Sequence, residues 1–208
     1  MSGGVLLIGA SGLAREVIAA GLADVVGIFD DDDRRHGTEV GGVPVIGGVG
    51  AAADRNEKLL VCVGPSLARR SVVTRLREAG VAADRFATFV ARSAVIGAGS
   101  VVGAGAIVLD GVVVTADARI GQHVTVMPNC VVTHDDVLGD FVTLAAGVAL
   151  GGGVHLGEAA YIGMNASIRQ GVTVGVEAVI GMGSVLLDDA SAAQTWAGVP
   201  ARRLGERA

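Results

Sequence analysis

The sequence predicts an α/β unit followed by an all-β solenoid, and three observations carry that prediction. Up to residue 89, short apolar runs alternate with helix-spaced stretches. From Val90 onward, branched aliphatic residues fall on a strict period of six. The composition fits thin repeated layers: glycine accounts for 33 of 208 residues and aromatics for only 3%, against an ordinary glycine share of roughly 7%.

Val5-Leu6-Leu7-Ile8 reads as a buried strand, and Gly9-Ala10-Ser11-Gly12 as the tight turn after it. Helical spacing runs from Leu13 to Leu22. A second strand, Val25 to Phe29, ends in the acidic run Asp30 to Asp33. A third spans Leu59 to Val63, followed by Gly64-Pro65-Ser66 and a helix from about Leu67 to Ala79. Strands alternating with helices imply a parallel sheet, hence a Rossmann-like subdomain over residues 1–89. A glycine turn between strand and helix directs backbone N–H groups and the positive helix end at an anion. An acidic residue closing the second strand often contacts a ribose hydroxyl. Both features point to a nucleotide. Gly9-x-x-Gly12 departs from G-x-G-x-x-G, which argues against a dinucleotide. The plainer alternative is a simple turn with a solvated acidic loop.

The periodic series runs from Val90 and Ile96 through Val132 and Leu150 to Ile180 and Leu186, seventeen aliphatics in seventeen positions. At a background of about one half apolar, chance gives such a run on the order of once in 100,000. Glycine follows in nine cases, and small residues such as Ala106, Cys130 and Ala160 stand four places after the aliphatic. A period of six suits neither a helix nor an alternating strand. It suits a chain that turns a corner every six residues, with the aliphatic inside and glycine at the turn. The pattern resembles the left-handed parallel β-helix of the hexapeptide acyltransferases, in which three hexapeptides close one triangular coil. The resemblance implies eighteen residues per coil over residues 90–190. A C-terminal segment, 191–208, is expected to pack on the last coil through Trp196. An inert solenoid is the alternative that periodicity leaves open.

Of the four histidines, His36, His123, His134 and His155, repeat position favours His134. It lies two residues after an inward aliphatic, in an outward position followed by Asp135. With eighteen residues per coil it stacks between Ala116 and Gly152, whose small size leaves a recess. Acyl transfer from a thioester needs a base near neutral pKa, a carboxylate to orient it, and a donor for the oxyanion. His134, Asp135 and the Gly152 N–H are the candidates.

These residues bring a closer resemblance. Ile8-Gly9-Ala10-Ser11-Gly12, Ile28-Phe29-Asp30-Asp31, Val63-Gly64, His134-Asp135, the glycines at 151–153 and Gly198-Val199-Pro200-Ala201-Arg202 are similar to the bacterial sugar acetyltransferases. These act on bacillosamine or perosamine precursors or on sialic acid. The resemblance covers nearly the whole chain. It implies a catalytic pair His134 and Asp135. It places acetyl-CoA contacts at Thr143, Gly152 and Met164, and nucleotide-sugar contacts at Ser11, Gly12, Leu13, Asp30, Asp31 and Gly64. It also implies a homotrimer with the acyl donor between adjacent β-helices. With no cysteine or serine stacked beside His134, the expected reaction is direct acetyl transfer to an amino group. A sugar hydroxyl is the alternative acceptor, and a non-catalytic trimeric nucleotide-binding scaffold the alternative of another class. The chain departs from the family pattern at Leu13, where histidine is common. It departs again at Thr143, where some members have a second histidine, and at Met127, where some N-acetyltransferases have asparagine.

The remaining signals set limits. A net charge of −5 without basic clusters argues against nucleic acid, because phosphate neutralisation needs Lys and Arg. No apolar run reaches the roughly 18 residues of a membrane span. No basic residue precedes Val5 to Leu13, so a signal peptide is not expected. Cys62 and Cys130 fall at small buried positions and suit a reduced, cytoplasmic protein. The histidines occupy different places in the hexapeptide, so no metal is expected. Arg202 and Arg203 either meet CoA phosphates or form an exposed tail.

Overall fold

A computed structural model describes residues 3–205 of the chain. Met1, Ser2 and residues 206–208, which belong to the expected outer segments, lie outside the described residues.

The N-terminal elements follow the apolar runs. Strand β1 is Val5–Ile8, β2 Val25–Phe29, β3 Glu39–Val40, β4 Val43–Gly47 and β5 Lys58–Val61. They form one sheet in the order β3-β4-β2-β1-β5, parallel except for the β3–β4 hairpin. Helix α1, Gly12–Ala19, begins where the Ser11 hydroxyl accepts from the Ala14 N–H at 3.3 Å, which satisfies one of the helix's free donors. Helix α2 is Ser66–Glu78. The apolar pattern places these elements within a few residues but passes over the hairpin. Its turn is Gly41-Gly42, with φ of +58° and +79°, a conformation glycine adopts without steric cost. The Gly-Gly pair between valines is the available signal.

From Phe89 to Leu186 the chain makes seventeen two-residue strands, one per hexapeptide. Each up to Ser167–Ile168 pairs in parallel with the strand eighteen residues on, as Val113 with Val131 and Thr125 with Thr143. Stacked short parallel strands of this kind fit a left-handed β-helix, with three flat faces. Face one holds Phe89–Val90, Thr125–Val126, Thr143–Leu144 and Tyr161–Ile162. Face two holds Val95–Ile96, Val113–Val114, Val131–Val132 and Ala149–Leu150. Face three holds Arg119–Ile120, Val137–Leu138 and His155–Leu156.

The second residue of each strand points inward, so Val114, Val132 and Leu150 stack in one column with 2% exposure or less. Each such side chain contributes roughly 1.5–3 kcal/mol. Val90, Ile96 and Val102 are less covered because no rung lies beneath them. At the other end, the strand Thr195–Gly198 pairs with Val179–Ile180 and folds back on Ala201–Arg203. Trp196 packs on the core there, as expected.

Face one is covered by the α/β unit. Leu7, Ala10, Leu13 and Leu60 form one apolar cluster with Phe89, Ile107 and Leu109. Leu6, Phe29 and Val73 form another with Phe141 and Ala159. Arg69 of α2 pins the junction. It is fully buried and donates to the carbonyls of Val63, Gly64, His123 and Phe141 at 2.7–2.8 Å. Burial holds its pKa down to about 10, so it stays charged at neutral pH. Backbone dipoles stand in for a carboxylate partner.

Candidate active site

Three recesses gather the sequence-predicted residues, and they lie at three places. The first, about 510 Å³, is lined by His134, Gly152, Gln170 and Gly171 at the corner between faces two and three. His134 stands where the chain leaves the strand Val131–Val132. The corner residue after it, Asp135, has φ +62°, a left-handed conformation that Asp tolerates better than most residues. Asp135 therefore serves the turn and the imidazole together: His134 Nδ1 lies 2.8 Å from Asp135 Oδ2. With Nδ1–H donated to the carboxylate, Nε2 carries the free lone pair. The Asp135 hydrogen bond raises the His134 pKa above its ordinary value. Both side chains are largely exposed, at 68% each.

The glycines opposite explain the recess. A Cβ on Gly152 would overlap the His134 ring at Cε1 and Nε2. Gly151 N–H and Gly153 N–H are engaged in rung bonds to Ile168 and His134 carbonyls at 2.9 Å. The Gly152 N–H makes no hydrogen bond among the described residues. It is the one free donor of the strip, beside the imidazole. Sequence reasoning missed Gln170, although the eighteen-residue period places it two coils above His134.

The second recess, about 380 Å³, lies at the corner between faces one and two, against the α/β unit. Its lining includes Gly64, Pro65, Glu16, Met127, Thr143 and Met164. Thr143 and Met164 therefore share a recess with Gly64, and within one protomer they are separated from His134 by the whole of face two. The Thr143 hydroxyl is engaged: it donates to the Gly64 carbonyl at 3.0 Å and accepts from Ser66 and Arg69, each at 2.9 Å. Its one proton is thus spent on joining the α/β unit to the coil.

The third recess, about 160 Å³, opens at the carboxyl ends of β1 and β2 and is lined by Gly9, Asp30, Asp31 and Val63. Asp30 accepts from the N–H groups of Ala10 and Asp32 at 2.7 and 2.9 Å. Asp31 accepts from Val49 N–H at 2.9 Å and from Arg75 at 2.7 Å, and the arginine lowers its pKa. Ser11 caps α1 and donates to the Cys62 carbonyl at 2.7 Å. Leu13 is buried in the α/β core, so any ligand contact at that position comes from the backbone. Gly12 opens α1 with no neighbour within 4 Å of a built Cβ, leaving its face of the turn open.

The other histidines stand apart. His123 is buried, edge-on to Phe86 at 4.8 Å and stacked on Phe141 at 5.2 Å, and burial lowers its pKa to about 4. His155 lies on face three. Among the described residues no group of three or more His, Cys, Asp or Glu is arranged to hold a metal. No helix among them is long and apolar enough to cross a membrane.

No protein-family model and no curated protein matches the chain. Solved structures do. Perosamine N-acetyltransferase from Caulobacter crescentus, in complex with CoA and GDP-perosamine, is 32% identical over 99% of both chains, with a TM-score of 0.89. A histidine-to-asparagine variant of it, with the same ligands, is 31% identical with the same TM-score. The acetyltransferase domain of PglB from Neisseria gonorrhoeae, in complex with acetyl coenzyme A, is 30% identical over 98% of this chain and 100% of that one, at a TM-score of 0.86. WeeI from Acinetobacter baumannii is 27% identical over 97% and 99%, at 0.86.

Proposed function

Because the chain belongs to the bacterial sugar acetyltransferases of the hexapeptide-repeat superfamily, we propose that it transfers acetyl from acetyl-CoA to the amino group of a nucleotide-linked amino sugar. The observation that carries the reading is His134 with Nδ1 on Asp135 and its Nε2 edge against Gly152, whose N–H makes no hydrogen bond among the described residues.

In this reading Nε2 takes a proton from the sugar amine as its nitrogen attacks the thioester carbonyl carbon. The Gly152 N–H receives the developing oxyanion. Collapse of the tetrahedral intermediate breaks the C–S bond, and the imidazolium returns the proton to the CoA thiolate. Transfer is direct. Burial raises the pKa of Cys62 and takes that of Cys130 up to about 11, which leaves both unsuited to carry an acyl group.

The α/β part, residues 1–89, is read as a Rossmann-like nucleotide-sugar subdomain. The Gly9–Gly12 turn and Asp30 and Asp31 take the nucleotide, while Gly64 lies on the sugar's path toward the coil. The acetyl-transfer domain is read as residues 90–190 and the C-terminal segment as 191–208, whose described part closes the end of the coil. A homotrimer built through face two belongs to this reading. Its outward residues include Val95, Val113 and Val131, exposed at 57%, 38% and 36%, and it lies between the His134 recess and the Thr143–Met164 recess. A cyclic contact there carries the His134 edge of one protomer to the Met164 edge of the next, with acetyl-CoA between them. Free, buried Cys62 and Cys130 suit a cytoplasmic location.

The test is His134→Ala with acetyl-CoA and a panel of nucleotide-linked amino and hydroxy sugars, followed by CoA release. Wild type should turn over the amino sugars, with kcat/KM rising with pH through the elevated histidine pKa. The variant should bind both substrates and lose about 10²- to 10⁴-fold in kcat. Unchanged turnover would remove His134 as the base, and turnover of hydroxy sugars alone would move the acceptor to oxygen.

A further inference from the structure

Among the described residues the coil interior holds one carboxylate, at a position where the repeat otherwise places Ala118 below and Val154 above. Asp136 has no solvent exposure. A charge there costs stability that a small apolar residue would add, so its presence calls for a reason outside packing.

The hydrogen bonds supply one. One rung before, Thr115 N–H donates to the Val132 carbonyl at 2.9 Å; one rung after, Gly151 N–H donates to Ile168 at 2.9 Å. At the rung between, Thr133 N–H turns inward to Asp136 Oδ2 at 2.7 Å. The Leu150 carbonyl that would have received it accepts the Thr133 hydroxyl instead, at 3.1 Å. The other Asp136 oxygen accepts from Val154 N–H at 2.8 Å. The ladder is thus rerouted at the residue before His134, and the same carboxylate holds the chain just after Gly152 and Gly153.

We propose that Asp136 is a positioning residue, whose carboxylate clamps the His134 turn to the glycine strip and sets the base against Gly152. This rests on His134 being the base. Burial pushes the Asp136 pKa up to about 6, so the clamp is ionised at neutral pH, with His134 Nδ1 held outward by Asp135.

Asp136→Ala and Asp136→Asn test it alongside His134→Ala in the full-length protein, with acetyl-CoA and the amino sugar that wild type turns over best. Alanine restores the residue of the neighbouring rung, so the melting temperature should hold or rise. Asparagine keeps the volume and one acceptor. Both should lower kcat, the alanine variant by about 100-fold, the scale of a reacting group displaced by about 1 Å. Both KM values should stay within about threefold, because no substrate contact is removed. A folded variant with kcat within twofold of wild type would overturn the proposal, as would a loss confined to KM. Failure of both variants to fold would make Asp136 a purely structural residue and overturn it too. If His134→Ala keeps its turnover, the reading of the base falls first, and a lowered kcat in the Asp136 variants would then point elsewhere.

Discussion

In the β-helix a residue's surroundings follow from its number, and in the α/β unit they do not. Adding eighteen to His134 gives Gly152, and the two are in contact across the rung. No comparable rule tells that the Ser11 hydroxyl is spent on a helix cap and the Cys62 carbonyl. Nor does one tell that both Asp30 oxygens already receive backbone N–H groups. A solenoid repeats one local geometry, so contacts are fixed by the period. A wound sheet joins strands through connections of unequal length, and its polar residues divide between holding turns and meeting ligands.

The largest effect is expected where the coil meets another copy of itself. Val113→Arg puts a long charged side chain in the middle of face two. If that face is the subunit interface, a buried charge without a partner costs several kcal/mol at each contact. The trimer should fall to monomers in sedimentation. Activity should go with it, because His134 and the Thr143–Met164 recess would no longer be shared between protomers. A trimeric, fully active Val113→Arg protein would place the interface on another face.

Gly152→Ala asks how tightly the period sets the chemistry. Its φ is not in the left-handed region, so the backbone accepts alanine. Only the adjoining His134 ring does not. The base must swing away, and kcat should fall by about 100-fold with the fold intact. Wild-type kcat would show that the imidazole works from another position.

The contact of His134 with Gly152 is legible in the amino-acid sequence alone, and so are the interior column and the parallel strands. Three other features are not. The hairpin at Gly41-Gly42 is too short to show a period. The capture of Thr143 by Ser66 and Arg69 joins residues 66, 69 and 143, which no repeat relates. Asp136 stands in the sequence as one more acidic neighbour of Asp135, although its place four residues after Val132 puts it in the interior column. The separation of His134 from Thr143 and Met164 is hidden for a different reason. A set of family contacts carries no record of which protomer supplies each, whereas three faces and two corners do.

The smallest effect, and the one that probes the less legible region, is expected from Asp30→Ala. Its carboxylate sets the Ala10 N–H at the end of β1 and borders the recess with Gly9 and Asp31. Removing it frees two backbone donors and takes one acceptor from the side assigned to the ribose. A hydrogen bond to a charged group is worth about 1.5–3 kcal/mol, so the KM for the nucleotide sugar should rise at least tenfold. The melting temperature should fall as well, since the turn loses its anchor. The acetyl-CoA KM should stay within about twofold of wild type, because Gly152 and Met164 hang on coil rungs that Asp30 does not touch. A variant that loses acetyl-CoA affinity while keeping sugar affinity would exchange the roles assigned to the two regions.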